Sequence, residues 1–176
     1  MIDRRGFLTA GAAALASATL IPQSAFATAN RRTLHLYETH SFETASVTYW
    51  TDGWYNPDAL HRLDIFLRDW RTDEVAPMDP RLLDAMALIQ ERLGTDEPMH
   101  IVCGYRSPTT NAVLASQRGG VARNSYHVRG QAADIHLPHR TLGALRQTAQ
   151  ALEVGGVGFY PRSGFVHIDT GPVRSW

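Results

Sequence analysis

The chain has 176 residues, with 17 basic and 17 acidic side chains, eight histidines and a pI of about 7.1. That length suits one domain with a core of its own, and the even charge balance leaves no basic footprint for nucleic acid. Every basic residue is arginine, and Cys103 is the only cysteine, which excludes an internal disulfide and a structural zinc site built from several thiolates.

The chain opens on an export signal. "RRGFLTAGAAALASATLIPQSAFA" joins a twin arginine to a modest apolar run and a small-residue end. Ala25 and Ala27 fit an A-x-A cleavage site, which makes residues 1–27 the signal and 28–176 one mature domain. Arg4 and Arg5, followed by Gly6, Phe7 and Leu8, resemble a twin-arginine (Tat) signal and imply a periplasmic or exported protein. An uncleaved anchor is the alternative reading of the same segment. No later stretch approaches the roughly 20 apolar residues of a membrane span, so the mature chain is expected to stay out of the bilayer, as a monomer.

Short β-prone runs at 33–39 and 44–50 read as a hairpin around "HSFE". "TDGWYNPDAL" is a turn into a helix, whose face is marked by Leu60, Leu63, Leu67 and Trp70. A second helix is capped by Asp79, starts at Pro80 and stops at Gly94, with Leu82, Met86, Ile89 and Leu93 on its apolar side. "MHIVCGY" is a buried strand. Ser107 and Pro108 then open a third helix that ends in glycines. A loop leads to the strand "QAADIHL", and a helix follows with Leu142, Leu145, Ala149 and Leu152 on one side. Two short strands, "GVGFY" and "FVHID", close the chain as a hairpin across "PRSG". The order of these elements predicts an α+β fold with a mostly antiparallel central sheet and flanking helices.

The informative residues are ionisable groups on strands that read as central. His127 precedes one strand, Asp134 lies within it and His167 lies in the last strand among Phe165, Val166 and Ile168. Period-2 alternation places Asp134 with His136 on one face, and Phe165, His167 and Asp169 together on another. A buried carboxylate costs several kcal/mol unless it is paired or bound to a cation. Two histidines and a carboxylate around one divalent ion meet that cost and leave a fourth position for water, as in catalytic zinc sites. A surface histidine, a strand-end aspartate and a satisfied core histidine form the rival reading, which the spacing alone leaves open. Cys103, in an apolar strand with no cation beside it in sequence, reads as a buried, inert thiol. Ser125, two before His127, lacks the strained turn of a hydrolase nucleophile. Arg118, Arg123 and Arg129 cluster near these residues, either to attract acidic peptides or as a solvated loop.

Three blocks, "GYRSPTTN", "SYHVRGQAAD" and "GFVHIDTG", occur in that order. Together they resemble the signature blocks of zinc peptidases of the hedgehog/D-Ala-D-Ala-peptidase fold (LAS type), closest to the murein endopeptidase K-like branch. The resemblance spans residues 33–176. It implies one Zn2+ per chain on His127, Asp134 and His167, with Arg106 facing the substrate carbonyl or carboxylate. It also implies a hydrolase that cuts peptidoglycan cross-links through a metal-activated water. A zinc-holding cell-wall binding module without activity, and a D,D- or L,D-carboxypeptidase, are the alternatives on the same scaffold. Many relatives carry an acid three residues before the last zinc histidine, and one subgroup a histidine two before it. Those positions are Gly164 and Phe165 here. Asp169 is then the first candidate for the general base, with His136 and Ser125 as a second base or supporting groups. The competing reading of Asp169 is a partner that orients a zinc histidine.

Overall fold

A computed structural model of the chain describes residues 30–117 and 122–176; the expected export signal and Arg118 lie outside them. Eight strands form one sheet, in the order β3-β2-β1-β4-β5-β7-β6-β8. β1 (Arg31–Glu38) and β2 (Thr44–Thr51) are the expected hairpin, and a two-residue β3 (Trp54–Tyr55) adds an edge. β4 (Met99–Cys103), β5 (Ala132–His136), β6 (Gly156–Tyr160), β7 (Phe165–Asp169) and a two-residue β8 (Arg174–Ser175) complete it. β1 pairs with β4, and β6 with β8, in parallel; the other five pairings are antiparallel. The architecture is α+β with a mixed but mostly antiparallel sheet.

Among the described residues there are four α-helices. Asn56 accepts from the N–H groups of Asp58 and Ala59 at the start of α1 (Pro57–Phe66), and Asp79 caps α2 (Pro80–Arg92). Ser107 Oγ accepts from Thr110 N at the start of α3 (Pro108–Gln117), and Thr141 from Ala144 N at α4 (Leu142–Gln150). α2 and α3 start at the caps read from the sequence, and α1 ends at Phe66, short of the Leu67 and Trp70 expected on its face. α2 ends as expected at Gly94, whose φ of 57° suits a residue without a Cβ.

Alternation divides the sheet into two unlike faces. Leu34, Leu36, Met99, Ile101, Ala133, Ile135, Val166 and Ile168 point to one side. There they meet Leu63 of α1, Leu82, Met86 and Ile89 of α2, and Leu145 of α4 in one buried cluster. The residues between them, including Asp134, His167 and Asp169, fall on the opposite face. An aspartate there is removed from the hydrocarbon core by one step along the strand, and the site occupies that second face.

Candidate metal centre

Three segments converge at the middle of the sheet. Asp134 of β5 lies directly opposite His167 of β7 in the antiparallel register. His127 comes from a single 3-10 turn, Tyr126–Arg129, that the sequence had shown only as loop. Ser125 starts that turn by accepting from His127 N at 3.3 Å, and Gly130 ends it in the left-handed region at φ 65°. A Cβ at Gly130 would overlap the Pro77 carbonyl, so the turn needs this glycine twice.

His127 Nε2, His167 Nδ1 and Asp134 Oδ1 form a tight triangle. The sides are 3.2 Å between the histidines, 2.9 Å from His167 to Asp134 and 3.3 Å from His127 to Asp134. A tetrahedral zinc with bonds of about 2.0–2.1 Å to N and O donors has edges of about 3.3 Å. The triangle is therefore one face of such a tetrahedron, and the donor set fits the ion. The far nitrogen of each ring is also engaged. His127 Nδ1 lies 2.7 Å from Gly104 O, and His167 Nε2 lies 3.0 Å from Asp169 Oδ2. Each contact places the ring proton on the outer nitrogen and frees the inner one to ligate.

The two candidate roles of Asp169 separate on its contacts. Its side chain is fully buried. Oδ1 accepts from Gly156 N at 3.1 Å, Gly171 N at 2.8 Å and Arg174 Nη1 at 3.0 Å. Oδ2 holds His167 and Arg174 Nη2, the latter at 2.7 Å. Burial alone would raise its pKa, but His167, Arg174 and the two backbone N–H groups outweigh it and hold the carboxyl well below the usual carboxylate range. Such a group orients a histidine and has little basicity left for a water.

Asp134 is likewise held well below that range, since charge and hydrogen bonding from His127 and His167 override burial. Burial opposes protonation of His127, yet Asp134 and Cys103 push it up to about 10. A cation entering the centre therefore displaces a proton, and its affinity falls as pH falls.

Cys103 departs from the bland reading. Strict alternation would send it into the core with Met99 and Ile101. A register shift between Ile101 and Cys103 instead sets it opposite Asp134, on the site face. Its sulfur lies 3.5 Å from Arg106 Nη2, and it forms a buried group with His127 and Asp134 whose ligand atoms all lie within 4.8 Å of one another. Burial raises the thiol, but His127 and Arg106 outweigh it and bring it below its ordinary value. Of the two donor sets that share His127 and Asp134, the one with His167 has edges of 2.9–3.3 Å, close to those of the zinc tetrahedron. Cys103 stands beside it.

A cavity of about 310 Å³ opens over the triangle, lined among others by Arg106, Ser125, Tyr126, Tyr160, Phe165 and Trp176. Among the described residues Arg106 makes long contacts, 3.4 Å to Asn111 Oδ1, 3.5 Å to Cys103 and 3.9 Å to Asp134 Oδ2, and none of these is a bidentate pair. Asn111 in turn donates to the carbonyls of Ala122 and Arg123, tying this arginine to the loop that carries His127. His136 does not line the cavity. It lies two residues along β5, opposite His100, with ring centroids 5.8 Å apart. Arg174, from β8, and Trp176, just past it, complete the site; Arg174 had no signal in the sequence beyond its place after "HIDTG", whereas a tryptophan such as Trp176 reads from sequence as core or cleft wall.

A three-ligand cluster under an open cavity, on the uncovered face of a sheet backed by helices, is the arrangement of the hedgehog/D-Ala-D-Ala-peptidase fold. The chain belongs to the family described as Peptidoglycan L,D-endopeptidase MepK, which matches residues 26–176. It is 41% identical over 177 residues to the peptidoglycan L,D-endopeptidase MepK of Escherichia coli (strain K12), covering 99% of this chain and 97% of that one. The same identity and coverage hold for the protein of that name in Shigella flexneri. A probable peptidoglycan L,D-endopeptidase MepK of Haemophilus influenzae is 38% identical over 178 residues, covering 99% of this chain and 95% of that one.

Proposed function

We propose that the protein is a zinc-dependent endopeptidase that hydrolyses an L,D-peptide bond in the cross-links of bacterial peptidoglycan, outside the cytoplasm. The triangle of donor atoms at 2.9–3.3 Å carries this reading. The shared name of the relatives supplies the substrate class and the bond. Zinc held by His127, Asp134 and His167 would polarise the scissile carbonyl and acidify the attacking water to a pKa of about 7. The chain's own residues do the rest. Asp169 and the Gly104 carbonyl fix the tautomers of the two histidines. Arg106, whose contacts among the described residues are long, binds the carbonyl oxygen and stabilises the negative charge it gains. The twin arginine of residues 4 and 5 supports delivery through the Tat route to the periplasm.

The test uses purified murein sacculi. The metal-loaded enzyme releases cross-linked stem peptides as separate chains, chelator stops the release, and mass analysis of the muropeptides locates the cut. Zinc bound at one per chain with no peptide released would instead establish a binding module. Release of single terminal residues without loss of cross-links would establish a carboxypeptidase.

A further inference from the structure

The cleavage just proposed needs a proton for the departing nitrogen, because an amine leaves far more readily than its anion. Neither Asp169, saturated by five donors, nor His136, turned toward His100, supplies one. Among the described residues lining the cavity, the O–H groups are those of Ser125, Tyr126 and Tyr160. Ser125 is buried, turns its Oγ back onto the backbone N–H of His127 and, as an alcohol, is a far weaker acid than a phenol. Tyr126 packs between Arg129 and Arg174, and its hydroxyl lies against Gly171, where an added Cβ would strike it.

Tyr160 is held differently. Its ring stacks on Phe165 with centroids 4.7 Å apart, and it passes over Gly158, where a Cβ would come within 2.8 Å of the ring. Gly158 is the direct register partner of His167, so the missing side chain makes room for the phenol beside the metal ligand. Trp176 fills the same space, 5.4 Å from the His167 ring, and donates its indole N–H to Tyr160 Oη at 2.8 Å. A phenol has one proton and two lone pairs. With one lone pair taken by an indole that can only donate, the phenolic proton has no partner in Trp176 and is free for the contents of the cavity. Arg106 reaches the triangle from the β4 side, 3.9 Å from Asp134 Oδ2, and Tyr160 lines the same cavity from the end of β6.

We infer that Tyr160 is the catalytic acid, delivering its phenolic proton to the nitrogen of the scissile amide. As the C–N bond breaks, its electron pair goes to nitrogen, which takes the proton from Tyr160 Oη. The phenolate then recovers the proton that the attacking water has lost, relayed through water in the cavity. One water is consumed, and one carboxylic acid and one amine are formed.

This rests on the peptidase reading, and the test separates the two. Tyr160→Phe keeps the ring stacking and removes the proton. With metal content and Tm equal to wild type, kcat on a cross-linked peptide should fall about 10²-fold or more, with KM within about threefold. On a thioester analogue of the same bond, whose leaving thiolate needs no proton, the loss should shrink to under about threefold. Trp176→Phe, which removes the clamp and leaves the phenol, should lose much less on the amide. Equal losses on amide and thioester, or equal losses in Tyr160→Phe and Trp176→Phe, would show a packing role and overturn the inference. So would amide turnover within about threefold of wild type. If Tyr160→Phe fails to fold, ring-fluorinated tyrosine at 160, a stronger acid of nearly the same shape, takes its place. A change confined to the amide supports the acid, and no change, or the same change on both substrates, overturns it. Failure of the wild-type enzyme on the amide itself would bring down the peptidase reading.

Discussion

At the scale of single residues, the proposed centre is a division of labour between groups that would hold an ion and groups that hold those side chains in place. His127→Ala, Asp134→Ala and His167→Ala should each lose most bound zinc, because two remaining ligands grip the ion weakly. Atomic absorption on the purified variants checks this, and full occupancy in all three would remove the assignment. Asp169→Asn should behave otherwise. It keeps the ligands but replaces a carboxylate acceptor at His167 Nε2 with an amide, so metal affinity should drop about 10- to 100-fold, with turnover restored by excess zinc. A loss of turnover at full zinc occupancy would return Asp169 to the role of base. The ligand candidates were legible because alternation and small neighbours mark Asp134 and His167 as ionisable groups on central strands. For Asp169 the sequence offered two rivals, base and orienting partner, and the choice between them was not legible. It depends on Arg174, which reaches back across five residues to close both carboxylate oxygens, and nothing in the pattern "HIDTG" announces that return. Cys103 escaped for a different reason, since a shifted register in β4 breaks the alternation that reading along a strand relies on.

At the scale of elements, one helix cap ties the centre to the scaffold. Asp79 starts α2 by accepting from Arg81 N at 3.0 Å, and it also accepts from Thr170 Oγ1 at 2.7 Å, just beyond β7. Its own N–H donates to Gly130 O at 2.8 Å, at the end of the His127 turn. A single residue thus joins a helix, a strand end and the metal-bearing turn. Asp79→Ala should cost about 2 kcal/mol. Burial raises the Asp79 carboxyl, but Arg81 and Thr170 outweigh it and lower its pKa in the folded state. The stabilisation is then complete above the unfolded value of about 4 and is lost as pH falls through the lower folded value. Urea midpoints for wild type and variant should differ at pH 7 and draw together toward pH 3. A gap of the same size at both would contradict the assignment. Helix starts such as this one are readable because Asn, Asp, Ser and Thr before a proline or an apolar run have a local cause. The two-residue strands β3 and β8 have none, being too short to show a period and existing only because neighbouring strands offer free edges; the 3-10 turn has its cap in Ser125 and its stop in Gly130, but four residues are too few to show a helical period.

At the scale of the whole molecule, delivery and assembly bear on the same centre. Replacing Arg4 and Arg5 together by lysine should strand the precursor in the cytoplasm, which fractionation and immunoblotting would show; normal periplasmic yield would dismiss the Tat route. Assembly brings in the pairing of β5 with β7. Asp134 and His167 face each other in one register, and a slip by a single residue would turn one of them into the hydrocarbon side. An ion held by both is therefore a rivet through two strands, and it is seated only when those strands are correctly aligned. Chelation should loosen this seam before the rest of the molecule. Amide exchange at Ala133, Ile135, Val166 and Ile168 should quicken ahead of that in the β1–β2 hairpin. Uniform quickening throughout the sheet would mean that the ion stabilises the molecule without fastening this seam. On the proposed reading, a wall-cutting enzyme fastened in this way carries its own assembly check, because a misaligned copy could neither hold the ion nor cut.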